Sequence, residues 1–141
     1  MYEENRSAVL IRQIHTEWEK NANNLLRKDD LTLSQINVLM ELDKTPGNQM
    51  ELKEMERRLH VAQSTTAGIV HRLEQKGFVE IFPSAEDRRV KFVRITPEGK
   101  RCCDNARVNM RSEEEHFTAA LTEEEQAQLT ALLQKVWDSF H

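Results

Sequence analysis

Between Ser84 and Lys100 the chain reads SAEDRRVKFVRITPEGK, five basic and three acidic side chains around a short apolar run. Guanidinium and ammonium groups at that density suit phosphates and electronegative grooves, because they donate charge-assisted hydrogen bonds. The whole chain is nevertheless acidic, with formal net charge -4. Residues 47–101 sum to +3, whereas residues 1–46 and 102–141 sum to -2 and -5. Positive potential is therefore local, as in a chain that turns one face to a polyanion. Upstream stand Gln63, Ser64, Thr65, Thr66 and Ala67, short side chains suited to base edges. Glutamine bonds adenine bidentately, serine and threonine serve bases or phosphates, and an alanine or threonine methyl meets the thymine methyl. His71 and Arg72 follow one turn later, within reach of phosphates, and Ala67 and Gly68 allow close backbone approach.

Other chemistry is thinly represented. There is no glycine-rich phosphate loop, nucleophile elbow or zinc-hydrolase motif, so an enzyme is not expected. Cys102 and Cys103 are adjacent, poorly placed for a disulfide across a fold, and the chain reads as reduced. As a vicinal pair they are a candidate redox or thiophilic-metal site; the plainer reading is one core cysteine and one incidental one. The run Glu113-Glu114-Glu115-His116 has no recognised ligand spacing, and His15, His60, His71 and His141 are scattered. No metal and no cofactor are expected. His15, one turn from Trp18, is a candidate for lining a ligand pocket, although Trp18 reads more simply as core.

These groups must be carried by long elements, since 141 residues hold only four glycines and three prolines. Residues 5–28 lack both, and Ile11, Ile14, Trp18, Leu25 and Leu26 recur at helical spacing. Thr32 with Gln35 forms a capping box for a second helix, which Thr45-Pro46-Gly47 stops. A third helix is predicted over 51–59, its N-cap open between Asn48 and Glu51. A fourth runs over 64–76 and ends at Gly77. The period then changes. Val79 and Ile81, then Val90, Phe92, Val93 and Ile95, flank a polar loop too long for a tight hairpin turn. Apolar residues lie on both faces of the second strand, so pattern alone leaves its register open. Thr96-Pro97 opens a helix to about residue 119, and Thr122 with Glu125 caps the last one. That helix carries Leu129, Leu132, Leu133, Val136, Trp137 and Phe140, a stripe that something must cover.

Three helices, a hairpin and a further helix, with positive charge on the middle elements, describe a winged helix-turn-helix. The fold class is mainly α, with a small β-hairpin wing and a helical region from both termini. The second helix of the turn unit enters the major groove, which assigns base reading to Gln63 through Ala67.

The segment LHVAQSTTAGIVHRLEQKGFVEIFPSAEDRRVKFVRITPEGK closely resembles the signature region of the MarR family of bacterial transcriptional regulators. The matching features are the recognition helix, the RLEQKGFVE exit, the tip Asp87-Arg88-Arg89 and the ITPEGK return; LTLSQINVLMEL resembles the family's second helix. The chain departs from the pattern at Ala62, where a hydroxyl N-cap is usual, and at His60, often glycine. The resemblance implies a homodimer whose terminal helices, residues 1–30 and 102–141, interleave, leaving 31–101 to bind DNA. Ile11, Ile14, Trp18, Leu129, Leu132, Leu133, Val136, Trp137 and Phe140 then become shared core. It further implies that Arg89 enters the minor groove while Asp87 holds a basic neighbour in place. A narrow minor groove concentrates negative potential and attracts arginine. Arg88 and Lys91 are further candidates for binding DNA from the wing, Arg88 reading more simply as a solvated charge, and Arg94 adds to the basic wing.

The expected function is sequence-specific regulation of transcription, as a repressor, on a pseudo-palindromic double-stranded operator. Release by a small aromatic or anionic effector is implied by the resemblance. The alternatives are a winged-helix module that binds protein, and a thiol- or metal-responsive regulator using Cys102 and Cys103. No apolar run approaches the roughly 20 residues that span a membrane. The start, MYEENRSAVLIRQ, lacks a signal peptide's basic region, so a cytoplasmic location is expected.

Overall fold

A computed structural model describes residues 5–59 and 63–141, the side chains of Gln63 and Ser64 excepted. His60 and Ala62, where the sequence departs from the family pattern, lie outside the described residues. Helix α1 spans Arg6–Leu26, capped by the Asn5 side-chain oxygen, which accepts from the N–H groups of Ser7 and Ala8. Helix α2 spans Leu33–Asp43 and opens with the complete capping box, Thr32 Oγ1 accepting from Gln35 N and Gln35 Oε1 from Thr32 N. Helix α3 is Leu52–Leu59 and helix α4 is Gln63–Gln75. After the sheet come α5, Pro97–Phe117, and α6, Glu123–Asp138, whose Thr122–Glu125 capping box also forms.

The sheet holds one strand more than the sequence suggests. Strand β1, Gln49–Glu51, precedes α3 directly, so Glu51, the last strand residue, stands at the N-cap position of that helix and Asn48 lies four residues before its first residue. With β2, Val79–Pro83, and β3, Lys91–Ile95, it makes an antiparallel sheet of order β1-β3-β2. The open register resolves as Val79 opposite Ile95, Ile81 opposite Val93 and Phe82 opposite Phe92. Burial decides the face: Val93 and Ile95 enter the core, and Phe92 and Arg94 point outward.

Ile36, Val38, Leu39, Leu42, Met55, Val70, Leu73, Val79 and Val93 form one core, joined by Ala22 and Leu26 of α1 and by Cys103, Ala106 and Met110 of α5. Trp18 of α1 packs against its edge, and α6 buries no residue.

The ITPEGK return has a local physical reason. Gly77 ends α4 at φ +78, a conformation open to glycine. Thr96 Oγ1 donates to Gly77 O at 2.7 Å and accepts from Gly99 N, while Thr96 N donates to Phe78 O. A Cβ on Gly99 would collide with Phe78 O, so only glycine lets α5 dock against the end of α4. Asp43 closes the same corner from α2, accepting from Arg107 Nη1 of α5 at 2.5 Å with Lys100 Nζ 3.6 Å away.

Candidate nucleic-acid interface

Helix α4 is amphipathic in a way its sequence conceals. Val70 and Leu73 are buried and Ile69 half-buried, which turns Thr65, Ala67, Gly68, His71 and Arg72 outward. Thr66 is fully buried, and its hydroxyl has no hydrogen-bond partner among the described residues. The expectation that Thr66 reads a base is therefore corrected. Its place one turn before Val70 puts it on the core side of the helix. The backbone of Gln63 and Ser64 opens α4, and their side chains lie outside the described residues. Nothing stands within 4 Å of a Cβ on Gly68, so no described neighbour in the chain demands glycine there. A mid-helix glycine costs about 1 kcal/mol against alanine.

At the wing tip, Asp87 grips Arg89 three times. Oδ1 accepts from the backbone N–H and from Nε at 3.0 and 3.1 Å, and Oδ2 accepts from Nη2 at 3.1 Å. The Arg89 guanidinium, foremost, and its backbone N–H hold the Asp87 carboxyl below its ordinary range. Arg89 keeps 91% of its side chain exposed, so it is oriented without being covered. The loop is tied further by Ser84 N to Val90 O, Val90 N to Asp87 O and Glu86 N to Ser84 Oγ. Arg88 and Lys91 are exposed, as solvated cations near a polyanion site would be. Arg94 braces the wing instead. Its Nη2 donates to Glu80 at 2.8 Å across the strands, and its guanidinium lies 4.8 Å over the Phe82 ring, itself stacked on Phe92. A cross-strand ion pair with cation–π stacking stiffens the hairpin.

Two clefts open on the surface, one beside α4 and one among the terminal helices. One of about 810 Å³ lies between α1, α2 and α4 and is bordered by Arg27, Leu31, Thr65, Ile69 and Arg72. The other, about 410 Å³ and mostly apolar, lies between α1, α5 and α6 and takes in Ile11, Ile14, His15, Trp18, Leu129 and Leu133. His15 sits at its rim, 3.2 Å from Glu19, and Trp18 packs edge-on to Phe117, with ring centres 6.0 Å apart. Leu132, Val136, Trp137 and Phe140 are at least half exposed, and Leu133 is 40% exposed.

The cysteines are not placed for reactivity. Cys103 is fully buried, and burial pushes its thiol up to about 11; burial raises Cys102 as well. The thiolate is the nucleophile, and burial of both thiols favours the protonated form. Among the described residues, no three His, Cys, Asp or Glu side chains gather as a metal site. No described helix is long and apolar enough to cross a membrane.

The MarR family model matches residues 31–91. An uncharacterized HTH-type transcriptional regulator of Bacillus subtilis, YwaE, is 33% identical over 81 residues, 57% of this chain and 47% of that protein. The chain thus spans about half the length of that relative. The multiple antibiotic resistance protein MarR of Salmonella typhimurium is 29% identical over 130 residues, 90% of this chain and 88% of its own. Among solved structures, a mutant MarR from E. coli complexed with operator DNA superposes with a TM-score of 0.81 at 27% identity, covering 92% of this chain and 91% of that one.

Proposed function

The chain belongs to the MarR family, and from that premise we propose that it is a homodimeric transcriptional regulator that represses by occupying a pseudo-palindromic operator. The observation that carries the reading is the paired geometry of α4 and the wing. Thr65, Ala67, Gly68, His71 and Arg72 share one exposed face, while Arg89 stands exposed in the grip of Asp87. In a two-fold dimer the two α4 helices enter successive major grooves, about 34–36 Å apart, and each Arg89 enters the adjoining minor groove. Gln63 and Ser64 join this reading on their place in the sequence.

Residues 1–30 and 102–141 supply the dimer, and the exposed apolar residues of α1 and α6 become its interior. The cleft between α1, α2 and α4 is the effector site of this reading. It joins the dimerising helix to the reading helix, and Arg27 and Arg72 beside Leu31 and Ile69 suit a small aromatic acid.

Fluorescence anisotropy tests the proposal on duplexes tiling the DNA that flanks the chain's own gene. A dimer neutralising about eight phosphates gives log K falling with log salt at a slope of roughly -7, and Arg89→Ala flattens that slope by roughly 2, one contact per protomer. Binding indifferent to salt and to Arg89 would overturn the proposal and favour a protein-binding winged helix.

A further inference from the structure

The sheet order β1-β3-β2 leaves β2 with an open edge. Ser84 N donates to Val90 O, so even-numbered residues of β2 face β3 and the odd-numbered ones turn their peptide groups to that edge. Pro83 has no N–H, and the N–H of Ile81 is the mid-strand donor left over. Glu74 Oε2, from the last turn of α4, accepts it at 3.1 Å. A carboxylate on the recognition helix thus closes the free edge of the wing. It sits one turn from His71, whose Nδ1 is 3.9 Å from Glu74 Oε1.

We propose that Glu74 is a positioning residue that sets the wing against the recognition helix through the Ile81 peptide, so that major-groove and minor-groove contacts form together. The inference rests on the DNA-binding reading above. Its physical sense lies in a conflict of sign. A carboxylate within about a Debye length of phosphates, roughly 10 Å at 0.1 M salt, repels them. Were Glu74 only a solvated surface charge, removing it would tighten binding. As the acceptor for a strand-edge amide it acts in the opposite direction, because without it the outer edge of β2 loses its tie to α4. Glutamine separates the two effects, since its carbonyl oxygen still accepts while its charge is gone.

The experiment compares wild type, Glu74→Ala and Glu74→Gln on the same flanking duplexes, each with and without Arg89→Ala. Glu74→Ala weakens binding about tenfold, the scale of one lost charge-assisted hydrogen bond. Glu74→Gln binds as tightly as wild type or tighter. On the Arg89→Ala background, Glu74→Ala has little further effect, because the misplaced wing no longer carries its contact. Equal or tighter binding by Glu74→Ala overturns the proposal, as does an equal loss in both variants or a fully additive loss with Arg89→Ala. Amide exchange at Ile81 in the free protein needs no DNA. Exchange about tenfold faster in Glu74→Ala and unchanged in Glu74→Gln supports the tie, and full protection in Glu74→Ala refutes it even if the wild type binds none of the duplexes.

Discussion

Trp137→Ala should dissociate the dimer, and its effect can be worked from exposure. Trp137 is 54% exposed in its own chain, on a helix that buries nothing there. A tryptophan contributes about 150–250 Å² when buried, so roughly 100 Å² per protomer remains for a partner to cover. At about 25 cal/mol per Å² that is about 2.5 kcal/mol, and two-fold symmetry counts it twice, for about 5 kcal/mol per dimer. The entropy of association is common to both proteins and cancels in the difference. The dissociation constant should therefore rise by about three orders of magnitude or more, with Trp137→Phe falling between. Sedimentation equilibrium from nanomolar to tens of micromolar protein reads this directly. Helicity should drop along with the dimer, because an isolated helix the length of α6 is marginal in water. An unchanged dimer population for Trp137→Ala would refute the assignment of this stripe to the subunit interface.

Two further outcomes follow from buried polar groups. Thr66→Val should raise stability by about 1 kcal/mol in urea unfolding and leave operator affinity unchanged, because it removes a buried hydroxyl that has no partner among the described residues; a loss of affinity would return Thr66 to the base-reading set. Asp43→Asn should destabilise by about 1 kcal/mol at neutral pH, since the Arg107 guanidinium, chiefly by its hydrogen bond, holds the Asp43 carboxyl below the ordinary 3.8. A lowered folded value means this stability is present above pH 3.8 and is lost as pH falls through the folded value. The gap between the two proteins should therefore close in strong acid, and a gap constant with pH would show that the ion pair is not its source.

What could be read before folding was whatever one turn of chain decides. The capping boxes at Thr32–Gln35 and Thr122–Glu125, the Thr96-Pro97 helix start and the Gly77 stop act between residues three or four apart, and all four appear as expected. The exposed stripe on α6 was legible for the same reason, as a helical face with no mate in the chain. The phase of α4 was not. Its first turns, Gln63 to Gly68, are polar or small, so the phase that turns Thr66 inward is set by the later residues Val70 and Leu73, whose burial fixes the core side of the helix. Strand β1 was invisible because three residues set no period; it exists through pairing with β3, far along the chain. The partners of the wing were hidden likewise. The Arg94–Glu80 pair needs the register, and the Glu74–Ile81 bond needs the angle between helix and sheet. Capping is settled by bonds a few residues long. Orientation and pairing are settled by which distant surfaces the core brings together.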